Sequence, residues 1–191
     1  MVPVLELTGI AKRFSDDFAL ENINLSLYSG EVHVVIGENG SGKTALLRLL
    51  AGLWTPDEGV FRFDGKEKYI QDLSEARRLG IMYRPQEPQL FDNLSIAENL
   101  FFDKLPVGLF GGLDSVKLYS NTYTLLSELG INLDPHALAG TLGYAQRQLL
   151  EAAKACVGKN RIVALDEPTA ALAEPERELL FSIVRRLSAS G

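Results

Sequence analysis

The chain contains a single cysteine in 191 residues. No disulfide can form within it, and Cys156, in an apolar-periodic stretch, reads as a small buried hydrophobe suited to a reducing compartment. No apolar run reaches about 18 residues, which excludes a membrane-spanning helix. Met1 to Thr8 alternates like a strand and lacks the charged and apolar regions of a signal peptide. Base does not exceed acid: the net charge of −6 leaves no footprint for nucleic acid and mainly favours solubility. Zinc-type cysteine pairs, internal repeats and low-complexity linkers are absent as well. Of the two histidines, His33 reads as strand packing and His136, after Pro135 in a polar turn, as solvated. The remainder is 46% hydrophobic, enough for one globular domain with a core.

The most informative segment is Gly37-Glu38-Asn39-Gly40-Ser41-Gly42-Lys43-Thr44. It matches G-x-x-x-x-G-K-[ST], a loop that cradles phosphate. Val32 to Ile36 before it reads as a buried strand, and Ala45 to Leu53 after it has helical spacing. Glycines let the backbone turn tightly and aim N–H groups at phosphate oxygens, and the helix dipole adds to the anion site. Lys43 is expected to reach the β- and γ-phosphates of a nucleotide, and the Thr44 hydroxyl to ligate Mg²⁺.

Around this loop the chain divides into three zones. From Val2 to about Lys68 it reads as strands, Val4–Leu7, Ile23–Leu27 and Val60–Phe63, with a turn at Asp64-Gly65. Trp54, after the loop helix, reads as packing. From about Asp72 to Gly140 it is mostly helical. A helix starts at Ser74 and stops at Gly80, and a second runs over Ser95 to Phe102 with Ser95 and Glu98 as a capping box. A glycine-rich loop occupies Pro106 to Leu113, and a helix over Val116 to Leu129 ends at Gly130. The third zone has a helix from about Tyr144 to Val157, a buried strand Arg161–Leu165, and a helix Pro175–Ala189.

The strand Ile162-Val163-Ala164-Leu165 runs straight into Asp166-Glu167. A buried parallel strand delivers such carboxylates at its C-terminal edge, where ligands sit in open α/β sheets. Asp166 is expected to hold Mg²⁺, directly or through water, and Glu167 to act as general base on the attacking water.

The ordered set GENGSGKT, Gln86 in YRPQEPQLF, LGYAQRQ and VALDEPTAAL resembles the nucleotide-binding domain of an ABC transporter. The resemblance covers essentially the whole chain. It is closest to the ATPases of monosaccharide (ribose/xylose/galactose-type) importers, through EVHVVIGENGSGKT, QEPQLFDNLSIAENL and QRQLLEAAKA, and to the N-terminal half of their tandem proteins. The implied fold is α/β, a P-loop NTPase core of the ABC ATPase type with an antiparallel β subdomain and a helical subdomain over about 88–158. The resemblance implies a Q-loop role for Gln86, sensing Mg²⁺ and attacking water, and adenine stacking by Phe14 in AKRF. It also implies contact of Gly143, Ala145 and Gln146, in the signature segment, with the γ-phosphate on a partner domain.

The implied activity is ATP hydrolysis, with ATP and Mg²⁺ as cofactors, at the cytoplasmic face of the membrane as a peripheral subunit. Its implied partners are transmembrane permease subunits, a second ABC domain and, indirectly, an extracytoplasmic substrate-binding protein, with no nucleic acid. Gln89-Leu90-Phe91-Asp92-Asn93-Leu94 is the candidate permease contact. Two alternatives remain: an ATP-binding but poorly hydrolysing regulatory half, and a soluble non-transport ABC ATPase.

Two departures from the family pattern stand out. The usual LSGGQ is here Leu142-Gly143-Tyr144-Ala145-Gln146, so Gly143 lacks a serine hydroxyl, and Ala173 stands where the D-loop often has Asp. The switch histidine that the family places about 30 residues after the catalytic glutamate has no counterpart before Gly191. The resemblance therefore implies a domain truncated at its C-terminus, with C-terminal strands absent and a sheet gap between Val32–Ile36 and Ile162–Leu165.

Overall fold

The computed structural model describes residues 2–108 and 111–191. The chain folds into two compact units, one of residues 1–83, 160–166 and 188–191, the other of residues 84–159 and 167–187.

In the first unit, β1 (Leu5–Arg13), β2 (Ala19–Leu27), β3 (Glu58–Phe63) and β4 (Lys66–Lys68) form an antiparallel sheet in the order β2-β1-β3-β4. Alternation sets the register: Leu5 and Leu7 face the core and pair with Leu27 and Leu25 on one side, Phe63 and Phe61 on the other. Both ladders slip just beyond Leu7 and Thr8, at Gly9 with φ +60. The neighbouring strand approaches so closely there that a Cβ on Gly59 would lie 2.5 Å from the Gly9 carbonyl oxygen. The Asp64-Gly65 turn joins β3 to β4 with positive φ at both residues, the demand of a tight hairpin.

The loop helix α1 (Lys43–Leu50) starts at Gly42, φ +99, and lays Ala45, Leu49 and Leu50 on the core that contains Leu5, Ile10 and Phe61. Burying leucines such as Leu49 is worth about 2–5 kcal/mol each against alanine. Helix α2 (Leu73–Arg78) is capped two residues earlier than its sequence suggested, by Asp72, whose carboxylate accepts the Glu75 N–H at 2.8 Å.

A second sheet pairs β5 (Ile81–Arg84) with β6 (Ile162–Leu165). No local pattern marked β5, which lies in a zone read as mostly helical. Only Ala164 of β6 is buried, so the expected fully buried strand is half-buried. Val32–Ile36 is not a strand, so the expected sheet gap between it and β6 has no strand on one side and is not seen as such. Val34 is 69% and Ile36 89% exposed. Among the described residues no ladder holds this segment, and without a ladder or a covering layer an apolar pattern cannot make a strand. His33 accordingly does not pack in a strand; it is exposed and its Nδ1 lies 3.3 Å from Glu31.

The second unit is helical: α3 (Ile96–Leu100), α4 (Ser115–Glu128), α5 (Tyr144–Lys154) and α6 (Glu174–Ala189). Ile96, Leu126, Leu150, Leu180 and Ile183 form its core, each almost fully buried. Cys156 packs on this core half-buried, and burial pushes its thiol pKa up. The Ser95–Glu98 capping box forms as expected, and α4 ends before Gly130. His136 is exposed, as expected, with its ring stacked 3.8 Å from Tyr119. Of the expected loop over Pro106–Leu113, Val107 bridges Leu113, while Leu109 and Phe110 lie outside the described residues. Helix α5 is buried continuously from Gln148 to Lys154, charged residues included.

Candidate functional site

In the first unit the loop ends in Lys43 and Thr44, the first two residues of α1. The Lys43 ammonium folds back over its own loop and donates to the carbonyls of Gly37 and Glu38, both at 2.8 Å. This holds a cation above the turn, which Gly40 (φ +82) and Gly42 permit, and Ser41 N–H closes the turn onto Glu38 O at 3.2 Å. Glu38, Asn39 and Ser41 are exposed.

Thr44 donates its hydroxyl to Asp166 Oδ1 at 3.0 Å, bringing the start of α1 to the end of β6. Asp166 is 3% exposed, and a carboxylate that buried needs donors. Its second oxygen accepts from the Tyr83 hydroxyl at 3.0 Å. Burial raises the Tyr83 pKa, a hydrogen bond with Arg48 opposes that rise, and the Asp166 carboxylate adds to it. The sequence reading missed Tyr83. Tyr83 opens the segment YRPQEPQLF, but only Gln86 in that segment was given a role, and the strand Ile81–Arg84 is just four residues long.

Phe14 stands at the end of β1, half-buried, stacked on Phe18 at 5.2 Å and edge-on to Trp54 at 4.6 Å. The Arg48 guanidinium lies 5.3 Å from the Trp54 ring. Phe14 is thus part of an aromatic cluster at the margin of the first core. Trp54 packs there as its sequence position suggested.

In the second unit, Gln86 is exposed and donates Nε2 to Glu167 Oε2 at 3.0 Å. Glu167 holds φ +44, a left-handed conformation rare for a residue with a Cβ. Asp166 and Glu167 are consecutive, so the strand exit bends sharply between two carboxylates with different partners. The signature segment forms the start of α5. Gly143 is the N-cap; its N–H donates to Gln146 Oε1 at 3.1 Å, so the Gln146 side chain folds back on its own helix. Ala145 is half-buried against the helical core. Tyr144 and Gln148 both reach the Gln86 carbonyl, contacts the sequence reading did not anticipate.

Hard oxygen donors on a buried acid suit Mg²⁺, and a lysine held over a glycine-turned loop at a helix N-terminus suits phosphate. The residues present therefore fit both groups.

A family model described as "ABC transporter" matches residues 20–170. A ribose import ATP-binding protein of Rubrobacter xylanophilus is 44% identical over 191 residues, covering 100% of this chain and 38% of that protein. A ribose import ATP-binding protein of Rhodococcus jostii is 40% identical over 190 residues, again covering 100% of this chain and 38% of the relative. The chain thus spans well under half the length of these curated relatives. Among solved structures, a nucleotide-free ATP-binding cassette from an ABC transporter superposes with TM-score 0.84 at 26% identity, covering 99% of this chain and 78% of that one. The ADP conformation of an ATP-binding cassette of an ABC transporter gives TM-score 0.83 at 25% identity, covering 100% and 79%.

Proposed function

The chain belongs to the ABC transporter family, and from that premise we propose that it binds and hydrolyses ATP to energise an importer, with sugars as the cargo class. The observation that carries this reading is the Thr44–Asp166 hydrogen bond, which joins the phosphate-loop end to the strand-end acid. The relatives named as ribose import ATP-binding proteins support the sugar class.

Phosphate oxygens would be met by Lys43 and by the backbone N–H groups from Gly37 to Thr44. Thr44 and Asp166 would hold Mg²⁺, whose chemistry when bound is to neutralise charge on the phosphate oxygens. Phe14 would offer a face for adenine. Glu167 would accept the proton of the attacking water, and Gln86, which already donates to Glu167, would fix that carboxylate's orientation.

The partners proposed are permease subunits, a second ABC domain that completes each nucleotide site, and indirectly an extracytoplasmic substrate-binding protein. The proposed location is the cytoplasmic face of the membrane; among the described residues no helix is long and apolar enough to cross it. Gln89–Leu94 is the proposed permease contact. Phe91 there is 47% exposed, and its ring lies tilted 4.6 Å from that of Phe102, also 47% exposed. The loop has a firm base: fully buried Asn99 accepts the Phe91 N–H and donates to the carbonyls of Phe91, Leu94 and Ser95.

The test is Lys43→Ala in the full-length protein. Losing a charge-assisted contact to the β/γ oxygens should lower Mg·ATP affinity at least about tenfold by calorimetry. Unchanged affinity would remove the assignment.

A further inference from the structure

Helix α5 presents Tyr144, Gln148, Glu151 and Lys154 at intervals of four, three and three, so they share one face. That face grips residues 84–89 at three points. Arg84 Nη1 lies 3.5 Å from Glu151 Oε2 at the first. At the middle, the Gln86 carbonyl accepts from Gln148 Nε2 at 2.6 Å and from the Tyr144 hydroxyl at 3.4 Å. At the last, Lys154 Nζ donates to Gln89 O at 3.3 Å and to Glu151 Oε1 at 3.1 Å. The grip is built mostly of buried groups. Gln148 is 5%, Glu151 2% and Lys154 9% exposed, and burial lowers the Lys154 pKa. Buried charge and amide at such depth are costly unless each finds a partner, which makes this arrangement specific in geometry.

The middle point has a consequence for chemistry. Gln86 is held by its carbonyl on one side and donates its side chain to Glu167 on the other. Gln148 also donates to the Tyr144 hydroxyl at 3.0 Å, so the tie starts within the signature segment itself, two residues before Gln146. A glycine or serine at 144 could not reach this far; the tyrosine makes the signature and the Gln86 backbone one hydrogen-bonded body.

We infer that Gln148, with Tyr144, is a positioning residue: it sets Gln86 through its main chain, so that the orientation of Gln86 toward Glu167 follows the position of the signature helix. This rests on the ATPase reading above. Gln148 acts through Gln86 and touches no reacting atom.

The experiment is a double-mutant cycle in the full-length protein. Gln148→Met keeps the length of the side chain and removes its donor. A lost positioning hydrogen bond should lower kcat about tenfold in the wild-type background while ATP affinity and melting temperature stay within error. In a Gln86→Ala background the same change should cost less than about twofold, since the group it positions is gone. Equal losses in both backgrounds would mean that Gln148 serves only general packing, and no loss in either would overturn the inference outright. Tyr144→Phe should give a smaller loss in the same direction, in keeping with its longer contact. Hydrogen exchange at the amides of Gln86 and Glu87 gives a readout independent of turnover: Gln148→Met should speed it. Faster exchange in a protein that does not hydrolyse ATP would refute the ATPase reading while leaving the tie intact. Unaltered exchange would refute the tie.

Discussion

Thr44 and Asp166, 122 positions apart, are joined by a 3.0 Å hydrogen bond from hydroxyl to buried carboxylate. Asp166 has a second hydroxyl partner, Tyr83, on its other oxygen. The acid is therefore held from both sides, and its free lone pairs have a fixed direction. Removing the outer support should leave the fold in place and loosen the acid.

Tyr83→Phe is the direct probe. The ring stays and only the hydroxyl goes, but Asp166 stays buried with one donor fewer, so the fold should persist with a melting temperature lower by several degrees. A lost hydrogen bond to a charged group is worth about 1.5–3 kcal/mol when the group stays buried. The Mg²⁺ concentration for half-maximal ATPase activity should then rise several-fold, with nucleotide affinity in the absence of metal unchanged. An unaltered Mg²⁺ dependence would show that Tyr83 packs against Asp166 without orienting it.

Glu167→Gln separates binding from turnover. The amide keeps the shape of the side chain and removes the carboxylate that would take a proton. It also leaves the φ +44 backbone alone, so a loss of activity cannot be assigned to a change in backbone strain. Turnover should fall by at least about a hundredfold, the usual contribution of a positioned base, with ATP affinity kept. Turnover near wild type would exclude Glu167 as the base.

The capping box at α3 gives a stability prediction with a pH sign. Ser95 Oγ donates to Glu98 Oε2 at 2.6 Å and Ser95 N–H donates to it at 2.8 Å; these bonds lower the Glu98 pKa, the side-chain bond most. A carboxylate with a depressed folded pKa stabilises fully above its unfolded pKa, and that contribution is lost as pH falls through the folded value. Ser95→Ala should cost about 1 kcal/mol at pH 7. At pH 4 the cost should shrink without vanishing, because Ser95 Oγ still accepts the Glu98 N–H at 3.1 Å. Thermal melts at the two pH values check this; a cost independent of pH would mean that the serine cap alone matters.

How much of this was legible beforehand depended on whether a signal was local. Ser95 and Glu98 are three residues apart, and the motif that names them also contains its physics. Lys43, Thr44, Asp166 and Glu167 were marked by short motifs with fixed chemistry. Tyr83, Tyr144 and Gln148 lie inside the segments YRPQEPQLF and LGYAQRQ, but what gives each its part is a long-range hydrogen bond whose partner those segments do not encode. Val32–Ile36 failed in the opposite way. Its apolar run is a sound local signal, but a strand needs a neighbour, and ladder partners are a property of the whole sheet.

The last prediction concerns Gly143. Its φ of −69 and ψ of 164 are open to any L-residue, and a Cβ there would meet nothing closer than Gln146 Oε1 at 3.9 Å. Gly143→Ser therefore fits without strain. Gly143 is the N-cap of α5, so a serine hydroxyl can accept an orphan N–H of the first turn and stabilise the helix by a few tenths of a kcal/mol, about the difference between serine and glycine caps. The same hydroxyl would return the donor that the family signature offers to a partner-bound γ-phosphate. If that contact forms, ATP-driven association of two domains should tighten by about tenfold or more, the worth of a hydrogen bond to a charged group. The two effects separate by experiment. The cap raises the melting temperature without nucleotide, whereas the phosphate contact raises ATPase rate and nucleotide affinity only with the second domain present. A rise in melting temperature alone would assign the new hydroxyl to the cap. A rise in affinity and rate would show the new hydroxyl reaching the partner-bound phosphate.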